Sequence, residues 1–220
     1  MSIVLGLLYI FSFIFGIFSS VPALERPDYL ERLAIMETQV MAATFFQAAM
    51  AVVYLLITLV FYSVIKTYNS HLALWYFGFR IIGSAFLFLG LGFLPLLLWN
   101  SQIYVSTGEI DLPTLEWTAE LLRKGRDIVN HIVMILPWAL GGFILYYVLY
   151  QNRQVPRWLS VWGIVGCNFT LLATLFLMWN IVTVSSHIYF ILNAPLAFGE
   201  LLLSFFLIFR GFFPQEKGGI

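Results

Sequence analysis

Six apolar runs, each close to 20 residues long or longer, constrain the fold of this chain more than any other feature. A helix needs roughly 20 apolar residues to cross about 30 Å of hydrocarbon, and lipid offers an irregular backbone no hydrogen-bond partners. The sequence therefore predicts an all-α integral membrane bundle of six transmembrane helices, forming a single domain over residues 1–220. The predicted spans are 3–21, 40–65, 72–98, 128–151, 158–181 and 187–210.

The composition agrees with a membrane protein and excludes some other classes. Of the 220 residues, 61% are hydrophobic and 10% are charged, and the net charge is zero. An ordinary soluble domain has about 25% charged residues, and nucleic-acid binding needs a basic surface. The predicted partner is therefore the lipid bilayer and not a nucleic acid. The single cysteine, Cys167, permits no intramolecular disulfide and no cysteine metal cluster.

The connections between the spans predict two short interfacial helices. Between spans one and two, charged residues alternate with Leu30, Leu33 and Met36, as in a helix that lies at the membrane surface. Between spans three and four, Asp111 is a candidate helix cap, and Gly125 is expected to separate this second short helix from span four. The first apolar run lacks a basic leader, so we expect an uncleaved first span.

An even number of spans places both termini on the same side of the membrane. The ten lysines and arginines of the loops and termini divide equally between the two sides, so the positive-inside rule does not discriminate. We expect both termini to be cytoplasmic, because this orientation places the excess of acidic residues in the loops outside the cell. The positive-inside rule gives acidic residues little weight.

Span three carries an arginine, Arg80, deep in its apolar length, and span six carries Glu200. At 1.5 Å per residue, Arg80 lies about 12 Å from Leu72, and Glu200 lies about 15 Å from Arg210, both measured from the same face. Charged side chains within a membrane are costly and are usually paired. The matching depths therefore predict an ion pair between Arg80 and Glu200.

Other polar and small residues fall at the same depth. Ser84 shares a helical face with Arg80, and Gly141 and Gly142 in span four permit close approach. The predicted intramembrane polar centre comprises Arg80, Glu200, Asn168, Asn193 and Ser84. Two interpretations remain open: a structural ion pair that fixes helix register, or a site for a ligand or a proton.

A second cluster is predicted at the opposite membrane face. Asp127 and His131 are four residues apart at the start of span four, and His187 opens span six on the same side. These residues could bind a metal, or haem through His131 and His187. The alternative is interfacial histidines hydrogen-bonded to loop carbonyls. No Walker loop, Gly-x-Ser-x-Gly or His-Glu-x-x-His motif occurs, so no catalytic residue is predicted.

Three segments resemble a known family. They are "FRIIGSA" around Arg80, "YYVLYQNRQVPRWLSVWGIVG" from 146 to 166, and "GELLLSFFLIFRGF" around Glu200. Over about residues 5–213 the chain resembles a bacterial family described as domain of unknown function 4386. The resemblance implies a multi-span helical protein of the bacterial cytoplasmic membrane, with Arg80 and Glu200 at motif positions. Ser160 departs from the family pattern, which often has glycine there. The resemblance implies no activity.

Four functions are compatible with these observations. The favoured hypothesis is a binding or accessory module whose polar centre, Arg80 and Glu200, receives a lipid or small hydrophobic ligand. The alternatives are a small solute or proton-coupled transporter, a metal-dependent intramembrane enzyme using Asp127, His131 and His187, and a structural subunit of a membrane complex. A transporter of this size would be expected to form a homodimer.

Overall fold

The computed structural model describes residues 1–106 and 112–213, which form α-helices joined by short connections and contain no β-strand. The helices are α1 Ser2–Phe18, α2 Tyr29–Ile35, α3 Glu37–Lys66, α4 Ser70–Gly90, α5 Phe93–Ser106, α6 Leu112–Ile128, α7 Ile135–Gln151, α8 Arg157–Met178 and α9 His187–Phe209. A 3₁₀ turn covers Pro22–Glu25, and a π-helix covers Val129–Val133. The predicted cap Asp111 lies outside the described residues.

Six of these helices form a closed ring. Going around it, α1 packs against α3, α3 against α4, α4 against α7, α7 against α8, α8 against α9, and α9 against α1. Each helix buries one face against its neighbours in the ring, and polar residues on these faces, such as Ser12, Thr58 and Ser204, are thereby removed from lipid and from water. The ring therefore has an interior in which buried polar residues from different helices can meet.

Within the described residues, five helices are long and apolar enough to cross a membrane, which agrees with the predicted all-α membrane bundle. Three of them are α3, α8 and α9. The fourth comprises α6 and α7, and the fifth comprises α4 and α5. The first predicted span is shorter: α1 has 17 residues, a length of about 26 Å. The count of six spans is therefore not confirmed by helix length, although α1 occupies a full place in the ring.

The structure corrects the bounds of spans three and four. The helix predicted over 72–98 is divided by a turn at Leu91 and Gly92 into α4 and α5. The predicted separation at Gly125 is wrong, because α6 continues through it and the π-helix into α7. A glycine costs a helix only about 1 kcal/mol, and here it makes room for a neighbour. A Cβ at Gly125 would lie 2.7 Å from the Phe93 ring.

The short helices α2, α5 and α6 form a cap over one end of the ring. The short helix expected in the first long connection is present as α2, whereas α6 is the first part of a helix that continues into α7 and is not a separate short helix. The cap has its own apolar core, in which Leu30 and Leu33 of α2 pack with Leu94 and Leu97 of α5. On its surface the Arg32 Nε donates to Asp28 Oδ2 at 2.6 Å, and this hydrogen bond lowers the pKa of the Asp28 carboxyl.

Both ends of the described chain meet at the other end of the ring, which we call the terminal end. A Cβ added at Gly211 would lie 3.1 Å from Ser2 Oγ, and the Phe213 N–H donates to the Gln154 carbonyl at 2.9 Å. An apolar plug fills the ring interior here. Its fully buried members include Leu5, Phe61, Ile65, Leu149 and Leu207.

Candidate functional site

Arg80 is the largest fully buried side chain of the described residues, with 1% of its surface exposed. It lies on α4 about 15 Å from the start of that helix, inside the ring. Its Nε and Nη1 have no hydrogen-bond partner among the described residues. A guanidinium in such a position is costly, because burial removes its hydration and no hydrogen bond to these two nitrogens replaces it.

Aromatic and small residues of α7 surround the guanidinium. Its Cζ lies 3.8 Å from the centre of the Trp138 ring, a distance at which the ring quadrupole attracts a cation. One turn later, Gly141 leaves space for the stem of Arg80, since a Cβ there would lie 3.0 Å from the Arg80 Cγ. The small residues Gly141 and Gly142 were predicted at this depth, and Gly142 faces Cys167 on α8.

Three buried tyrosines lie in the same layer of the ring interior as Arg80. Tyr9 on α1, Tyr76 on α4 and Tyr146 on α7 are each exposed by no more than 1%. All three belong to one buried cluster, in which Tyr9 and Tyr76 both pack against the Phe61 ring. Among the described residues, the hydroxyls of Tyr9 and Tyr146 have no hydrogen-bond partner, whereas the Tyr76 hydroxyl is in hydrogen-bond contact with Thr58. Arg80 and these tyrosines are called the arginine layer below.

Glu200 lies on α9 about 14 Å from its C-terminal end, close to the depth of Arg80 as predicted. Its side chain is buried and lines a cavity of about 340 Å³ between α1, α3, α7, α8 and α9. The polar residues on this cavity wall are Ser12, Tyr54, Thr170, Asn193 and Glu200, with the indole of Trp138 beside them.

The cavity occupies the half of the ring nearer the cap. Its remaining walls are apolar and include Met50, Met134 and Leu196. Ile17, whose side chain is 69% exposed, also borders it, so the cavity reaches the outside of the bundle near the C-terminal end of α1. Towards the terminal end, Trp138 and then the arginine layer and the apolar plug close the ring interior.

The predicted direct ion pair between Arg80 and Glu200 is not formed. Among the described residues, no acidic oxygen lies within 4.0 Å of the Arg80 guanidinium. The two charges do attract each other over a longer distance. The reason is the tertiary packing: Arg80 stacks on Trp138, whereas Glu200 lines the cavity, of which Arg80 forms no part.

The other predicted members of the polar centre have different positions. Ser84 is fully buried one turn after Arg80, and Asn193 is half-buried on the cavity wall. Asn168 is wrongly predicted, because its side chain is exposed and its Nδ2 donates to the Ile164 carbonyl of its own helix at 3.0 Å. At about 100° per residue, Asn168 lies about 200° around α8 from the buried Gly166.

The interpretation of Asp127, His131 and His187 as a metal site is also not supported. Within the described residues, no group of three or more His, Cys, Asp or Glu side chains is placed to bind a metal ion. The π-helix between α6 and α7 changes the helical register on which the shared face of Asp127 and His131 depended. His131 Nδ1 lies 3.1 Å from the Tyr189 hydroxyl, His187 is exposed, and Asp127 lines a surface groove with Glu25.

Sequence reasoning missed the aromatic residues of the site. Tyr76 lies four residues before Arg80, and Trp138 lies three residues before Gly141, so both share a helical face with residues that were singled out. That spacing could have identified them. Tyr54, whose ring centre is 4.2 Å from that of Trp138, lies on α3, and its contact depends on the order of the helices in the ring.

Comparison with known proteins agrees with the resemblance noted in the sequence. A family model described as a domain of unknown function, DUF4386, matches residues 4–211. No curated protein and no solved structure matches the chain. The match includes all six ring helices, and Arg80 and Glu200 both lie within it. The chain therefore belongs to the DUF4386 family.

Proposed function

We propose that this protein is a membrane-embedded binding protein for a small, mainly hydrophobic molecule that carries one hydrogen-bond donor or positive group. The observation that supports this function is the cavity of about 340 Å³ inside the ring, on whose wall Glu200 is a buried carboxyl group. Ligand sites are typically clefts of about 300–1,000 Å³ with apolar walls and a few convergent polar groups. Its place of action is the bacterial cytoplasmic membrane, with both termini in the cytoplasm.

The walls of the cavity support this chemical class of ligand. Phe13, Met50, Ile135 and Leu196 offer apolar surface, and methionine adapts to irregular shapes. Glu200 is the one charged side chain among the described wall residues, and a carboxyl group pairs best with a donor or a cation. A lipid or another hydrophobic molecule with an amine or hydroxyl group fits both requirements.

The test is native mass spectrometry of the gently solubilised protein, with an absorption spectrum of the same sample. We expect a reproducible bound mass in the wild-type protein that is lost in Glu200→Gln and in Ala197→Phe. The first change removes the negative charge, and the second places a ring in the cavity without changing any charge. Elution as a single monodisperse species shows that each variant is folded.

Two asparagines provide the matched control. Asn193 and Asn168 each donate to the carbonyl four residues earlier in their helices, at 2.9 and 3.0 Å, but only the first lines the cavity. Asn193→Ala is expected to weaken ligand retention, and Asn168→Ala is expected to leave it unchanged. A bound mass that survives both Glu200→Gln and Ala197→Phe would contradict the proposal, as would a wild-type protein that carries no ligand.

The one-sided shape of the ring interior favours a second candidate function, a proton-coupled carrier. The cavity reaches the surface near the cap, whereas Trp138, the arginine layer and the apolar plug close the opposite side. A carrier needs such a one-sided site and a second state that opens on the other side. Pro195 lies inside α9 five residues before Glu200 and removes one backbone hydrogen bond, which lowers the cost of bending α9.

Proton flux distinguishes the carrier from the binding protein. Proteoliposomes containing a pH-sensitive dye are expected to show ligand-dependent acidification for a carrier, and Glu200→Gln is expected to abolish it. The ligand in this experiment is the molecule identified by native mass spectrometry. Wild-type proteoliposomes that bind this ligand without any proton or ligand flux would refute the carrier and leave the binding protein.

A further inference from the structure

The arginine layer contains an unusual excess of buried hydrogen-bond donors. Arg80 contributes the N–H groups of Nε and Nη1, and Tyr9 and Tyr146 contribute two hydroxyls, whereas the Tyr76 hydroxyl is in hydrogen-bond contact with Thr58 on α3. Among the described residues the Arg80, Tyr9 and Tyr146 atoms have no hydrogen-bond partner, and their three side chains are exposed by no more than 1%. Buried polar groups in native proteins are nearly always satisfied, so several unpartnered donors within one buried layer indicate a bound species.

The charge of the layer indicates which species this is. The Arg80 guanidinium carries a full positive charge at any physiological pH, and the nearest acid of opposite sign, Glu200, is more than 4.0 Å away and lines the separate cavity. The rings of Trp138 and Tyr76, at 3.8 and 5.5 Å from the Arg80 Cζ, attract the cation but accept no strong hydrogen bond. A negative charge in contact with the guanidinium is therefore the element that this layer lacks.

We propose that the arginine layer binds a small monovalent anion of the size of a halide ion. The Arg80 N–H groups and the hydroxyls of Tyr9 and Tyr146 donate to it from three helices, α4, α1 and α7. Packing of the ring brings Tyr9 and Tyr146 to the layer of Arg80, since both residues are far from Arg80 in the sequence. The anion compensates the buried charge and satisfies the donors simultaneously.

A halide satisfies this set of donors better than water does. Each water molecule that accepts from a donor brings two hydrogens of its own, which then need acceptors. Apart from the Arg80 nitrogens, the unpartnered side-chain atoms of the described layer are hydroxyl oxygens, Ser84 Oγ included, and each of them carries a hydrogen of its own. An anion only accepts, so one ion can receive several of these hydrogen bonds without creating a new unsatisfied donor.

The anion site is distinct from the ligand cavity. Arg80 is not among the residues that line the cavity, whereas Trp138 contacts Arg80 and also forms part of the cavity wall. Loss of the Glu200 charge removes a repulsion from the anion. We therefore expect Glu200→Gln to bind the anion at least as tightly as the wild type, although the proposed cavity ligand is lost.

Trp138 provides a direct optical readout, because iodide quenches tryptophan fluorescence on contact. Trp138 is 4% exposed, so iodide in solution does not reach it by collision. Purified protein in detergent is titrated with potassium iodide, with potassium gluconate holding the ionic strength constant. We expect a saturable quenching component in addition to the linear component from exposed tryptophans, and we expect added chloride to reverse the saturable part.

Three variants assign the saturable component to its site. Trp138→Phe and Arg80→Gln are expected to lose it, and Trp75→Phe, which changes a 62% exposed tryptophan on the same helix as Arg80, is expected to keep it. Purely linear quenching in the wild type would overturn the proposal and assign the donors to water. Saturable quenching that persists in Trp138→Phe would also overturn it. Both of these outcomes remain decisive if Arg80→Gln does not fold.

Discussion

Replacing Gly166 by leucine is expected to prevent α8 and α9 from closing the ring. A Cβ at Gly166 would lie 2.7 Å from the Cα and 2.9 Å from the N of Leu196, and backbone atoms cannot rotate away as a side chain can. Gly166→Ala is expected to lose about 1–3 kcal/mol of stability through overpacking, and the larger leucine is expected to leave no monodisperse protein. In membrane helices, small residues permit this kind of close approach.

Gly78 is the matched control for this prediction. It is also a helical glycine, on α4, but a Cβ at this position meets nothing within 4 Å. Gly78→Ala and Gly78→Leu are therefore expected to leave stability unchanged or to raise it, by up to about 1 kcal/mol for alanine, because both residues favour helix more than glycine does. The measurement is thermal unfolding in detergent, in which size-exclusion chromatography records the fraction of protein that stays monodisperse at each temperature. Equal stability of Gly166→Ala and Gly78→Ala would contradict the described contact between α8 and α9.

Glu200→Gln is expected to destabilise the protein by about 2 kcal/mol in chloride-free buffer, because it leaves the charge of Arg80 buried without the counter-charge that Glu200 supplies among the described residues. The double variant Arg80→Met with Glu200→Gln is expected to be more stable than Glu200→Gln alone. Replacing both members of a buried charge pair by uncharged groups removes the cost of burying them, whereas removing one member leaves that cost in place.

Unfolding of the wild type, Arg80→Met, Glu200→Gln and the double variant in mixed micelles with increasing denaturing detergent measures this coupling. Glu37→Gln is the control for loss of a negative charge, since Glu37 is exposed in the first turn of α3 and is expected to have little effect. If the two single changes add without coupling, Arg80 and Glu200 do not share an electrostatic environment. In that case the matching depth of Arg80 and Glu200 in the bundle does not contribute to the free energy of unfolding.

The double variant also bears on the proposed anion. A bound halide would supply the negative charge that Glu200→Gln removes, so the destabilisation is expected to be smaller in chloride than in gluconate. Arg80→Met with Glu200→Gln contains neither charge, and its stability is expected to be the same in the two salts. A salt-dependent stability of Glu200→Gln, without such dependence in the double variant, shows that a bound ion compensates the charge of Arg80.

The sequence by itself determined the all-helical membrane architecture and the depth of the polar centre. Both depend on quantities that can be counted along the chain: the length of each apolar run and the number of residues between a charge and the end of its helix. Arg80 and Glu200 accordingly lie close in depth, and Gly141 and Gly142 lie beside Arg80 and Cys167.

The tertiary structure decided which side chains meet at that depth. Each residue rotates the side chain by about 100° around its helix, so a correct depth leaves the direction open. Asn168 therefore has a matching depth but the wrong face, and Arg80 meets Trp138 instead of Glu200. The order of the helices in the ring, which brings Tyr9 and Tyr146 to Arg80, depends on packing between distant segments, and no count along the chain contains it.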